Sequence, residues 1–152
     1  MGETIRRARP GEAEALTALM HRSKASWGYQ PDLMERFAAD LRLLEEQLAD
    51  EEVWVLEDRT TAVIGMYQVA RGEPAILQDL WLEPRVIGSG QGRRLWEHAV
   101  ATARRLGSRA LELDADPHAQ GFYERMGARV VGQSPSTAVP GRTLPRMRID
   151  LG

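Results

Sequence analysis

The 152-residue chain contains no cysteine, which removes disulfides, thiolate metal sites and any cysteine nucleophile at once. Asparagine is missing too, and Lys24 is the only lysine in an arginine-rich chain. A GC-rich genome would explain both biases, so neither is read as function. No apolar run approaches the roughly 20 residues that span a bilayer, and the opening Met-Gly-Glu-Thr-Ile-Arg-Arg lacks the apolar region of a signal peptide. Three histidines (His21, His98, His118) at scattered spacing make no metal motif. A net charge of −2 without a basic tail argues against binding nucleic acid by bulk electrostatics. With 43% apolar and 28% charged residues, the chain is expected to be an ordinary cytoplasmic globular protein, one domain over 1–152 with a full hydrophobic core.

Periodicity orders the elements. Residues 5–9 alternate and are closed by Pro10-Gly11, a strand signal. Ala13, Leu16, Leu19 and Met20 share one face of a helix over 12–23. After the break at Ser26-Trp27-Gly28-Tyr29-Gln30-Pro31, the residues Met34, Phe37, Leu41, Leu44 and Leu48 predict a helical region over 32–49, with a break near Leu41. Residues 53–57 and 62–70 alternate about an Asp58-Arg59-Thr60 turn, a hairpin pattern, and 75–82 is a third strand of this group. A helix over 92–106 follows, with Leu95, Ala99, Ala103 and Leu106 inward and Gly107 at its end. Residues 110–115 read as a strand, 118–126 as a short helix, and 129–132 and 147–151 as two closing strands around a loop over 133–145. The order predicts an α/β (α+β) fold: a mixed, mostly antiparallel central sheet flanked by helices.

Between the third strand and the long helix lies Pro-Arg-Val-Ile-Gly-Ser-Gly-Gln-Gly-Arg-Arg-Leu (84–95). Gly88, Gly90 and Gly92 let successive backbone N–H groups converge on one ligand. The following helix adds its first-turn N–H groups and positive dipole end, and Arg93 and Arg94 add charge. Three readings compete: a bare tight turn, a dinucleotide site, and the pyrophosphate cradle of an acyl-CoA fold. Against the second, position six of the G-x-G-x-x-G pattern is Arg93, and residues 83–87 separate the strand from Gly88 where that fold turns tightly. A P-loop is excluded because no Gly-Lys-Ser/Thr follows.

Leu-Trp-Leu-Glu-Pro (80–84), Gly-Ser-Gly-Gln-Gly-Arg (88–93) and Asp-Pro-His-Ala-Gln-Gly-Phe-Tyr-Glu-Arg-Met-Gly-Ala (116–128) together resemble the GCN5-related N-acetyltransferase superfamily, the first two its motif A and the third its motif B. The element order resembles that family over essentially the whole chain. Departures are local: Ile87 stands where a basic or amide residue is usual, Asp116 where asparagine is common, and Ala128 where phenylalanine is common.

The resemblance implies an acyl-CoA N-acyltransferase fold and direct transfer of an acetyl group from acetyl-CoA to a primary amine in a ternary complex. No metal takes part, and the family expectation is a homodimer. Backbone groups at Leu80, Trp81 and Leu82 would meet the pantetheine arm and the thioester carbonyl; Gly88, Ser89, Gly90, Gln91, Gly92 and Arg93 would hold the pyrophosphate, with Asp116 and Phe122 also on the cofactor side. Tyr123 would protonate the departing thiolate. Asp79, alone in an apolar strand, is the candidate base, with Glu112 and His21 as weaker options. His98 and His118 read as surface residues. Acceptor specificity is expected from the loop between the first two helices, where Trp27, Gly28 and Tyr29 would wall the pocket, and from the loop over 133–145. The acceptor is expected to be a small-molecule or peptide amine, with no nucleic acid or membrane partner. The chief alternative is an acyl-CoA-binding sensory module without catalysis.

Overall fold

The computed structural model describes residues 2–152. The strands are Thr4–Arg7 (β1), Glu52–Glu57 (β2), Val63–Ala70 (β3), Ala75–Leu82 (β4), Ala110–Asp114 (β5), Arg129–Pro135 (β6) and Thr143–Asp150 (β7). The helices are Ala13–Ala25 (α1), Pro31–Phe37 (α2), Glu45–Asp50 (α3), Gln91–Arg105 (α4) and Gln120–Arg125 (α5). All seven strands form one sheet in the order β1-β2-β3-β4-β5-β7-β6. Every neighbouring pair is antiparallel except β4–β5. This is the mixed, mostly antiparallel sheet that the sequence predicts.

Alternation along the strands builds two cores. On one face, Tyr67, Val69, Leu77, Leu111, Leu113 and Met147 pack against Leu95, Ala99 and Ala103 of α4 and against Tyr123 of α5. On the other, Val53, Val55 and Met66 pack against Leu16, Leu19 and Met20 of α1 and against Phe37 and Leu48. The second helical layer covers only the β1–β4 half of its face. Over β5 and β7 that face carries ion pairs instead, with Glu112 held by Arg146 and Arg148.

Two boundaries differ from the sequence reading. The region over 32–49 is two helices: residues 38–41 turn off the end of α2, with the Asp40 and Leu41 N–H groups donating to the Phe37 carbonyl, and residues 42–44 carry the chain past α1 without helix. There the Leu43 N–H donates to Thr17 Oγ1 (3.0 Å) and the Leu41 carbonyl meets His21 Nε2 (2.7 Å), so side chains of α1 satisfy backbone groups that a continuous helix would pair internally. Leu44, expected inward, is exposed. The closing strands are also longer than expected and pair up to Pro135↔Thr143, which shortens the loop between them to 136–142.

Three local features position the site. Pairing of β4 with β5 is confined to Ala75↔Leu111 and Ile76↔Glu112, after which the strands diverge. The β3–β4 register jumps from Val69↔Leu77 to Gln68↔Asp79, leaving Gln78 unopposed as a β-bulge that bends β4 at the point of divergence. Finally, Gly90 takes φ +91° as the residue before α4, a conformation that only glycine adopts without strain.

Candidate active site

Divergence of β4 and β5 opens a cleft of about 530 Å³ through the sheet. Its walls come from both helical layers: Ser23, Lys24 and Trp27 from α1 and the turn after it, Phe122 and Tyr123 from α5, and Gly88, Gly90 and Gly92 at the glycine loop. The Glu83 N–H donates to the Ile64 carbonyl. Antiparallel alternation then makes Trp81 and Asp79 the residues hydrogen-bonded to β3 and turns the main-chain groups of Leu80 and Leu82 toward the cleft.

Asp79 lies beside the bulge and lines the cleft with Gln78 and Trp81. The Trp81 Nε1–H donates to Asp79 Oδ1 at 3.0 Å. Burial pushes the Asp79 carboxyl up to about 7, an effect that this one hydrogen bond only partly offsets. Tyr123 is 7% exposed and lines the same cleft. Its pKa is raised, first by burial and then by the negative charges of Asp79 and Asp116, so the phenol keeps its proton. Its ring packs against Phe122 and Trp96, with centroids 5.1 and 5.6 Å apart. A carboxyl poised near neutrality and a protonated phenol thus face one cleft.

At the loop, Gly88 and Gly90 have φ of +84° and +91°, and a Cβ built on either meets nothing within 4 Å. Neither N–H reaches a carbonyl among the described residues, and the first-turn N–H groups of α4 lack intrahelical acceptors. Gly92 lies within α4, where a Cβ would come 3.1 Å from Phe122 Cε1. Ile87 and Arg93 line the cleft, Ile87 half exposed. The side chains of Ser89 and Gln91 turn elsewhere: Ser89 Oγ donates to the Val86 carbonyl, and Gln91 Nε2 donates to Glu3 Oε1 (3.0 Å).

The acceptor-side expectations meet at Asp116. Trp27 lines the cleft, with its ring 5.7 Å from Trp81 and stacked on His118 at 5.4 Å. Tyr29 lies behind it and donates its hydroxyl hydrogen to Asp116 Oδ2 (2.8 Å). The same oxygen accepts from Lys24 Nζ at 2.9 Å, while Asp116 Oδ1 accepts the His118 N–H at 2.9 Å. Burial alone would raise the Asp116 carboxyl, but the Lys24 and His118 hydrogen bonds bring it down to about 2. A carboxylate only accepts, so the His118 Nδ1 contact with Oδ1 (2.9 Å) is a donated N–H. For Lys24, burial outweighs the Asp116 attraction and lowers its pKa.

Lys24, His118 and Arg142 were not singled out as site residues by the sequence reading. A sole lysine in an arginine-rich chain is the available signal for Lys24; Arg142 lies within the 133–145 stretch expected on the acceptor side, and its own contacts depend on how the 136–142 loop folds back. The weaker base candidates have other partners: His21 meets the Leu41 carbonyl, and Arg148 and Arg146 lower the Glu112 pKa. His98, expected at the surface, contacts the Tyr67 hydroxyl (2.7 Å) and the Trp54 ring, and burial lowers its pKa.

A glycine cradle beside a slot between diverging strands is the architecture of acyl-CoA-dependent N-acyltransferases. Residues 26–151 match the family model of the acetyltransferase (GNAT) domain, so the chain belongs to the GNAT family of acetyltransferases, whose acetyl donor is acetyl-CoA. Over 132 residues it is 33% identical to the peptidyl-lysine N-acetyltransferase YjaB of Salmonella typhimurium (strain LT2), covering 86% of each protein. Among solved structures, the PaiA N-acetyltransferase of Thermoplasma acidophilum in complex with coenzyme A superposes with a TM-score of 0.80 at 17% identity, over 99% of each chain. YncA of Salmonella typhimurium with its cofactor acetyl-CoA gives 0.71 at 21% identity, over 99% of this chain and 94% of that one. The residues present fit such a co-substrate: unpaired N–H groups and open space at Gly88 and Gly90 suit a pyrophosphate, and the Leu80 and Leu82 main chain suits an amide-bearing arm. No group of three or more His, Asp or Glu able to hold a metal occurs among the described residues, and no helix among them is long and apolar enough to cross a membrane.

Proposed function

We propose that this chain transfers the acetyl group of acetyl-CoA to a primary amine, by direct attack within a ternary complex. The lysine side chain of a peptide or protein is the acceptor class that the relationship to YjaB favours. The observation that carries the reading is the placement of Asp79 and Tyr123 on one cleft, beside the main-chain groups of Leu80 and Leu82. Acetyl-CoA supplies an activated acyl carbon as its thioester. The Gly88–Arg93 segment holds the pyrophosphate, and the cleft-facing N–H groups of β4 stabilise the developing oxyanion, a contribution of about 3 kcal/mol for one such donor.

An alkylammonium with a pKa of about 10.4 is almost wholly protonated at neutral pH, so a base must take its proton. Asp79, with a carboxyl that titrates near 7, has one oxygen held by Trp81 and is suited to that proton. Tyr123 gives its proton to the departing thiolate and recovers one from solvent. Trp27 and Trp81 present ring faces that attract a cationic acceptor. We also propose a homodimer, supported by β6, an exposed edge strand carrying exposed Val130 and Val131, since an unpaired strand edge is a ready template for pairing with a second chain; sedimentation equilibrium checks it.

The test incubates the protein with acetyl-CoA and a panel of lysine peptides and small amines, reading released CoA with a thiol reagent. With no cysteine in the chain, the protein adds no thiol background. Saturable turnover on a peptide lysine is expected. Tight acetyl-CoA binding by calorimetry with no turnover on any amine would replace the enzyme reading with a non-catalytic acyl-CoA-binding module.

A further inference from the structure

One carboxylate joins the two sides of the cleft. Asp116 follows β5, and its Oδ1 accepts the His118 N–H (2.9 Å), capping the 3₁₀ turn Pro117–Ala119 that leads into α5 with Phe122 and Tyr123. Its Oδ2 accepts from Lys24 Nζ (2.9 Å) and the Tyr29 hydroxyl (2.8 Å). Arg142 Nη2 donates to that hydroxyl at 2.8 Å and lies 3.6 Å from Oδ2. Two segments distant in sequence from Asp116, the end of α1 with the 26–30 turn that follows it and the 136–142 loop, therefore converge on one oxygen, while the segment carrying Tyr123 hangs from the other. Lys24 reaches Asp116 from the α1 layer over β4, so the pair bridges the two strands where they part.

The pair is well secured. Lys24 and Asp116 are 8% and 9% exposed. The ammonium also lies 4.1 Å from the Phe37 ring centroid and 5.3 Å from that of Tyr29. Removing one partner leaves the other charge buried without compensation, so the arrangement holds only as a unit. We propose that Asp116 is a positioning residue for the acetyl transfer: with Lys24 as its counter-ion, it couples occupancy of the donor side, read through the 117–125 segment, to ordering of the acceptor wall formed by residues 26–30 and 136–142. This rests on the acetyltransferase reading above. The link is a contiguous network of charge-assisted hydrogen bonds, and either ligand biases it reciprocally.

The test compares wild type with Lys24→Met, Asp116→Asn and Lys24→Arg, each verified as folded by circular dichroism. Hydrogen exchange is followed at 26–30 and 136–142 with and without saturating acetyl-CoA, and calorimetry gives its Kd. Acetyl-CoA is expected to slow exchange in both segments of the wild type. Protection should be lost in Lys24→Met and Asp116→Asn and largely kept in Lys24→Arg, which preserves the bridging charge. The acceptor KM should rise about tenfold in the first two variants, within the range of typical coupling free energies, with little change in the acetyl-CoA Kd of Lys24→Met. Binding without protection in the wild type, or equal protection in Lys24→Met, overturns the coupling alone. No acetyl-CoA binding by the wild type overturns the acetyltransferase reading and the coupling with it.

Discussion

Replacing Asp79 with asparagine keeps the shape of the side chain and makes it permanently neutral. In the folded protein burial raises the Asp79 carboxyl from 3.8 to about 7. Between those values the native state binds a proton that the unfolded chain has released, so stability falls with rising pH, at about 1.4 kcal/mol per unit. The contribution of this group is present in full below pH 3.8 and is lost as the pH climbs through 7. Across the window the loss reaches a ceiling of about 4 kcal/mol. Asp79→Asn escapes it, and is expected to be more stable than wild type at pH 8 by about 2–4 kcal/mol, with the gap closing toward pH 4.

Catalysis should move the other way. The base works only when ionised and the acceptor enters as its ammonium, so wild-type kcat/KM carries a rising limb centred near 7 and levels off above it. Asp79→Asn should lose that limb and about 10²–10⁴ in rate. Urea unfolding from pH 4 to 8.5 on both proteins, beside a kcat/KM profile, reads both effects. Parallel stability curves, or a limb near 7 that survives in Asp79→Asn, would refute the assignment of Asp79 as a buried base.

Tyr123→Phe should cut kcat by about 10² or more while acetyl-CoA Kd stays near wild type; an unchanged kcat removes the phenol from the mechanism. Gly92→Ala places a methyl 3.1 Å from Phe122 Cε1 and 3.6 Å from Leu82 Cδ1, and displacing the Phe122 ring should raise the acetyl-CoA KM several-fold, measured at saturating acceptor. Gln68 is 1% exposed with its Nε2 unpartnered, so Gln68→Met should stabilise by about 1 kcal/mol by deleting a buried orphan donor; a lower Tm would count against it.

Strand 75–82 has the bounds that alternation alone gives, and the inward row Leu95, Ala99 and Ala103 of α4 is fully buried. Such segments are legible because a repeating pattern meets a single flat or cylindrical neighbour. The break at 38–44 is not, because Thr17 and His21, 20 or more positions before the Leu43 N–H and Leu41 carbonyl they meet, decide where that backbone finds its hydrogen bonds. The same divide runs through the site. The glycine loop and the Phe122-Tyr123 pair are local signals, and both face the cleft. The motif resemblance also pointed to Asp116, but the partners of its carboxylate, Lys24, Tyr29 and Arg142, come from segments 87 or more residues before it and 26 after. Ser89 and Gln91 share the loop's sequence signal, yet their side chains turn away, since only the main chain of such a loop is committed to a ligand.

The two-residue contact between β4 and β5 has a consequence for traffic. A slot walled by α1 on one face and by α5 on the other would, under the proposed direct transfer, let two reactants arrive from opposite sides of one partition and touch only at its midplane. Each product can then retreat along the path its parent used, without crossing the other. Under that proposal the acetyl group never needs to be parked on the protein between substrates.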